Sequence, residues 1–194
     1  MSAPPPCVVE AHTRAWVARA VVGLNLCPFA KAVQLKGQIR CVVSDASDAE
    51  ALLVALCDEL RGLAAAEPAK VDTTLLVHPH VLTDFADFND FLDVADAAVE
   101  ALGYSGVFQI ASFHPQYRFA GSASDAPGNA TNRSPYPTLH LLREASVERA
   151  LRSFPAPETI YENNIRTLET LGADGWEALQ AQCRRDAETP GPRR

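Results

Sequence analysis

Apolar residues first recur along this chain at helical spacing. Val9, Trp16, Ala20, Val21 and Leu24 share one face of an amphipathic helix from about Val8 to Leu26, ending near Asn25. CPFAKAVQLKG follows as a short turn or helix closed by Gly37. The pattern then changes to that of a strand in IRCVVS, Ile39–Ser44, which is rich in β-branched residues. Ser47 or Asp48 caps the next helix, whose stripe is Leu52, Leu53, Leu56, Leu60 and Leu63 and which stops before Pro68. TTLLVH, Thr73–His78, reads as a second strand. Asp84 opens a further helix with Phe85, Phe88, Leu92, Ala95 and Val99 on one face, and Gly103 ends it. VFQIASF, Val107–Phe113, reads as a third strand.

This β-α-β-α-β alternation predicts crossover helices and three strands pointing the same way. From Pro115 to Pro137 the periodicity disappears. Gly121, Gly128, Asn129, Asn132 and prolines at 127, 135 and 137 make a long irregular loop. Such a loop inside a compact domain is either functional or disordered, and Tyr117, Arg118, Phe119, Arg133 and Tyr136 favour function. TLHLLRE, Thr138–Glu144, reads as a fourth strand, although Pro137 could instead start a helix. A helix runs from about Pro157, with Gly172 after its end, and a last one from about Asp174 to Arg185. The expected fold is a single α/β domain over residues 8–185, with a small, mostly parallel sheet and helices on its faces. Residues 1–7 and 186–194 are expected to be flexible.

Composition narrows the function classes. A chain of 194 residues that is 47% hydrophobic can build one full core. A net charge of −7 argues against nucleic acid, whose binding needs clustered Lys and Arg, and against a membrane surface. No apolar run approaches the length of about 20 residues that spans a bilayer. MSAPPPCVVEAHTR lacks the basic and apolar regions of a signal peptide. Cys7, Cys27, Cys41, Cys57 and Cys183 are odd in number, widely spaced and without a C-x-x-C pair. They form neither a disulfide framework nor a zinc ribbon, and a reducing, cytoplasmic setting is expected.

The candidate chemistry starts with two strand ends. His78-Pro79 and His114-Pro115 each put a histidine at the exit of an apolar strand. If the strands are parallel, both imidazoles emerge at the carboxyl edge, where open α/β sheets bind ligands. Proline after each histidine confines it to an extended backbone. With His140 in the fourth strand, three imidazoles would suit Zn²⁺ or Fe²⁺; alternatively, one histidine serves as general base. The plainer alternative is a strand that leaves the core on a polar residue, with a proline that stops pairing. Arg118, Asn132, Arg133 and Arg143 could gather around an anion, with Tyr117 orienting it, or the arginines could pair with Asp125, Glu144 and other surface acids. Asp84, Asp87, Asp90, Asp93 and Asp96 make a solvated acidic face, of which Asp84 alone could lie near the edge site. Cys27, before Pro28, is either a thiol activated at a helix N-cap or a buried structural cysteine.

Two resemblances add to this. CPFA resembles the active-site segment of glutaredoxin-like and omega-type glutathione transferase domains, over about twenty residues; the later β-α-β order departs from the thioredoxin pattern. A longer resemblance rests on NLCPFAK, TLLVHP, DFNDFLDVAD, FQIASFHPQYRFAG and NRSPYPTLHLLRE taken in order. From Trp16 to Gly172 the chain resembles a bacterial family of small proteins of unknown function. That resemblance implies that His78, His114, Tyr117, Arg118, Asn132, Arg133, His140 and Arg143 belong to the family pattern; it implies no activity. Three functions are expected to compete: an enzyme acting on a small anionic substrate, a non-catalytic metal- or metabolite-binding module, and a thiol redox protein using Cys27.

Overall fold

The first helix, α1 (Pro6–Trp16), begins with proline at its first position, where no intrahelical donor is lost. In a computed structural model of the protein, which describes residues 4–154 and 156–188, α1 continues as a π-helical segment, Val17–Val22. Asn25 then ends the run with a φ of 56°. The short α2 (Ala30–Leu35) leads to β1 (Ile39–Val43). Asp48, not Ser47, caps α3 (Ala49–Ala65) by accepting from the Ala51 N–H at 2.8 Å. Leu52, Leu56, Leu60 and Leu63 of α3 are buried. β2 (Thr73–Val77) is buried along its whole length. Asp84 caps α4 (Phe85–Ala101), whose core stripe is Phe88, Phe91, Ala95 and Val99, with Phe85 and Leu92 flanking it. β3 (Phe108–Phe113), a 3₁₀ segment (Pro127–Asn132) and β4 (Thr138–Arg143) follow.

The sheet order is β1-β2-β4-β3. β1 and β2 pair in parallel, and β4 runs antiparallel to both β2 and β3. β1, β2 and β3 therefore point the same way, as the alternation predicts. The fourth strand inserts between two members of that set, so Pro137 starts a strand and not a helix. Two helices complete the chain: α5 (Glu144–Arg152), and α6 (Thr159–Glu188), which breaks at Gly172 with a φ of 69°. That left-handed backbone suits glycine and ends the first half of α6 where the sequence predicts. The helix α5 was not expected. Its signal is a short amphipathic pattern in EASVERALR.

The sheet is covered on both faces. Leu76, Leu139, Leu141 and Phe108 pack with α3 and α4. Leu75, Phe113 and Ile39 pack in one cluster with Trp16 and Ala20 of the first helical run and with Cys183 and Trp176 of α6. Alternate β4 residues thus face different cores, as a period of two requires. The ends expected to be flexible fall partly outside the described residues; Pro6 and Cys7 begin α1, and Asp186–Glu188 belong to α6. Among the described residues, no helix is long and apolar enough to cross a membrane.

Candidate functional site

One residue of β4 ties the two histidine exits together. Thr138 stands opposite both Val77, the last residue of β2, and Phe113, the last residue of β3. His78 and His114 therefore leave the sheet at one rim. The His78 N–H donates to the Pro137 carbonyl at 3.0 Å, and the His114 N–H donates to the Asn132 carbonyl at 3.1 Å. Both side chains are fully buried. Phe88 of α4 spans them, its ring centroid 5.7 Å from the His78 ring and 5.1 Å from the His114 ring.

The partners of the imidazoles fix their tautomers. His78 Nδ1 lies 3.0 Å from the Val81 carbonyl, which can only accept, so Nδ1 carries the proton. His114 Nδ1 accepts from the Gln116 N–H at 3.0 Å, so its proton sits on Nε2, 3.3 Å from the Leu82 carbonyl. The two rings are thus opposite tautomers, and both hold the segment between β2 and α4. Burial pushes the His78 pKa down to about 4, with the neighbouring His114 adding to that effect and the Val81 carbonyl opposing it. Burial also lowers the His114 pKa, against the Leu82 and Thr83 main chain and the nearby Asp84 carboxylate. Asp84 thus lies near the edge site, while Asp87, Asp90, Asp93 and Asp96 are exposed.

His78 Nε2 is left over. It is a neutral nitrogen with a free lone pair, buried and without a hydrogen-bond partner. Thr74 Oγ1 and Thr131 Oγ1 are the other such atoms among the described residues. A buried polar atom left unpaired costs about 1–3 kcal/mol. An Nδ1–H···O=C bond that leaves Nε2 bare is the arrangement that prepares an imidazole as a base or ligand.

The three histidines do not converge. His140 points to the opposite face of the sheet, beside Phe113 at 5.8 Å, with Nε2 2.7 Å from Thr73 Oγ1. The sheet itself separates it from His78 and His114, because residues 76, 139 and 141 belong to one core and 75 and 113 to the other. Among the described residues, no group of three His, Cys, Asp or Glu side chains could hold a metal ion. The donor set needed for Zn²⁺ or Fe²⁺ is therefore not assembled.

The anion set also separates. Arg143 lies at the far end of β4, opposite Phe108, the first residue of β3. Its Nη2 donates to the Leu63 and Ala66 carbonyls at 2.6 and 2.8 Å, closing the end of α3, and its guanidinium lies over the Phe108 ring. Asn132 Nδ2 donates to the Ser112 carbonyl at 3.1 Å. Arg133 donates to the Tyr117 and Ser124 carbonyls at 3.3 and 2.8 Å. These side chains order the loop and the α3 terminus, and they bond carbonyls, not Asp125 or Glu144. Arg118 alone is exposed, with no ion pair among the described residues. Tyr117 is brought to the rim: its N–H donates to the His114 carbonyl at 3.1 Å, and its ring lies 5.2 Å from Phe85, which touches His114.

Cys27 lies elsewhere and does not cap a helix. Its N–H donates to the Val21 carbonyl at 3.3 Å, and Phe29 is the residue that precedes α2. The adjoining Leu26 packs with Ala130 and Leu168 and accepts from Asn164 of α6.

Several residues of the site escaped sequence reasoning. Phe85 and Phe88 read only as a helix face. The Val81 and Leu82 carbonyls have no sequence signal at all. His12 is likewise without a signal; it pairs with Tyr136, one of the loop residues that favour function, Nδ1 to hydroxyl at 3.2 Å, with burial and Arg184 pushing the His12 pKa down to about 4. The Pro-Tyr-Pro run is the signal for Tyr136. Cavities of about 380 and 240 Å³ open beside the π-helical segment and beside Cys41, and neither is lined by His78 or His114.

Residues 8–178, nearly the whole described chain, match the family described as Protein of unknown function (DUF1415). No curated protein and no solved structure matches. The chain therefore belongs to DUF1415, a family of proteins of unknown function.

Proposed function

We propose that the protein is an enzyme acting on a small anionic substrate at the rim where β2 and β3 end. His78 Nε2 is the proton acceptor in this reading. The observation that carries it is that this nitrogen is buried, neutral and unpartnered, with its tautomer fixed by the Val81 carbonyl. A group of that kind meets the first requirement of a general base, a free lone pair at neutral pH. Arg118 supplies the attraction for an anion, and Tyr117 orients it beside His114. The neutral Phe88 ring between the two imidazoles excludes water. A small molecule, not a nucleic acid or a membrane, is the expected partner. Five free cysteines suit a reducing, cytoplasmic setting.

A non-catalytic binding module is the second reading, favoured by one observation. Arg133 already bonds two carbonyls within the loop, and Asn132 bonds the Ser112 carbonyl of β3, which orders the loop without a ligand.

Imidazole ¹⁵N resonances, followed by NMR during addition of inorganic phosphate, sulfate and acetate, test both. A shift at His78 Nε2, lost in Arg118→Ala, supports an anion site at the rim. No shift with any of the three anions overturns it. Turnover of p-nitrophenyl phosphate or p-nitrophenyl acetate that vanishes in His78→Gln supports the enzyme. Anion binding without turnover of either supports the module.

A further inference from the structure

The atom that the proposed function depends on is covered. His78 Nε2 has no access to solvent and no partner among the described residues, and neither the cavity of about 380 Å³ nor that of about 240 Å³ is lined by His78. A ligand that meets this nitrogen must therefore displace something. The segment that bonds the same ring is Pro79–Thr83, which joins β2 to α4 and meets His78 Nδ1 through the Val81 carbonyl. His80 and Thr83 are exposed, Pro79 and Leu82 are half-buried, and only Val81 is buried, at 7% exposure.

This segment is lightly fastened. Among the described residues, no main-chain hydrogen bond ties Pro79–Thr83 to another element. Its side-chain bonds are the two already described, from His78 Nδ1 to the Val81 carbonyl and from His114 Nε2 to the Leu82 carbonyl. The second is long, at 3.3 Å. Leu82 has a φ of 53°, a left-handed conformation that an L-residue with a side chain disfavours. Release of the segment relieves that strain. Val81 is its one fully buried apolar plug, in the core of α3 and α4 that holds Phe88, and the half-buried Leu82 packs against the same core. Few contacts, unbonded main chain and stored strain are the marks of a segment that opens locally well before the fold unfolds.

We infer that Pro79–Thr83 is a lid over His78, latched by the two imidazoles that the strand exits deliver, and that it opens to admit the ligand. This rests on the reading of His78 as the group a ligand must reach. It gives the paired His-Pro exits a shared purpose. His78 bonds the lid through Nδ1 and keeps Nε2 bare on the other edge of the same buried ring, and His114 holds the next carbonyl along. Pro79 and Pro115 fix the chain directions from which both rings reach the same segment. The device needs opposite tautomers, because His114 must donate through Nε2 while its Nδ1 accepts from Gln116, and the bonding pattern provides them.

Carbethoxylation of neutral histidines by diethyl pyrocarbonate, located by peptide mass spectrometry, measures access to His78 without any ligand. The exposed His80 lies two residues away and serves as internal reference. His78 is expected to react far more slowly than His80 in the parent protein. Removing the latch with His114→Ala should raise the His78 rate about tenfold while leaving His80 unchanged, the effect of losing one hydrogen bond. His114→Gln, which can donate to the Leu82 carbonyl, should return the rate toward that of the parent. Val81→Ala, which removes the plug and leaves both imidazoles, should also raise it; this variant decides the question if His114→Ala does not fold. Equal rates at His78 and His80 in the parent would show that no lid exists. An unchanged His78 rate in folded His114→Ala and in Val81→Ala would show that the segment does not open. Gated carbethoxylation without any anion binding would leave the lid standing and remove the enzyme and module readings.

Discussion

Arg143 offers a quantitative test, because sequence alone makes it a ligand-binding residue and the structure makes it a structural one. Its Nη2 donates to the Leu63 and Ala66 carbonyls at 2.6 and 2.8 Å, and further bonds reach the Val71 carbonyl at 3.3 and 3.4 Å. Leu63 lies in the last turn of α3 and Ala66 is its C-cap. Carbonyls there are short of helical donors, that of Leu63 receiving only a bond from the Ala66 N–H that is shared with the Gly62 carbonyl, and the helix dipole favours a cation. Hydrogen bonds from a charged donor contribute about 1.5–3 kcal/mol each. Two strong bonds, some of whose carbonyls water can reach after truncation, give an expected loss of about 3 kcal/mol for Arg143→Ala. In a chain of this size that corresponds to a fall in Tm of roughly 10 °C. Arg143→Lys keeps the charge but not the planar fork and should recover about half of the loss. Urea unfolding followed by far-UV circular dichroism measures the difference as a shift in midpoint at constant slope. Anion binding at the rim should be untouched, since Arg143 lies five residues along β4 from Thr138, about 16 Å away at the rise of a strand. A loss below about 1 kcal/mol, or loss of anion binding in a stably folded variant, would refute this assignment.

Two further outcomes follow from particular residues. Because the folded pKa of His78, at about 4, lies below its ordinary 6.5, the unfolded chain takes up the proton first, and stability falls as the pH drops from 6.5 toward 4. That one group contributes at most about 3 kcal/mol across the window. His78→Gln should flatten the pH dependence of the urea midpoint relative to the parent, and identical slopes would contradict the buried neutral imidazole. Gly23→Ala should destabilise by about 1–3 kcal/mol, because a Cβ there would collide with the Arg19 carbonyl at the exit of the π-helical segment. Thermal unfolding reads this, and an unchanged Tm would show that the main chain can shift to accommodate it.

Much of this protein was legible along the chain. The stripe of Leu52, Leu56, Leu60 and Leu63, the aspartates that cap α3 and α4, and the break at Gly172 are local properties, set by a period of 3.6, a cap or a φ within a few residues. The common direction of β1, β2 and β3, and hence the shared rim of His78 and His114, followed from helices long enough to cross back over a sheet. What needed the tertiary structure was pairing. Nothing in TLHLLRE states that β4 inserts between β2 and β3, yet that insertion sends His140 to the other face and Arg143 to the other end. A strand's residue type and period fix which side chains alternate; only its neighbours decide which core, and which end, each one meets. The same holds for the latch. The His-Pro exits are visible in the sequence, whereas the Val81 and Leu82 carbonyls that the imidazoles hold are main-chain groups, identical in every residue and given meaning by position alone.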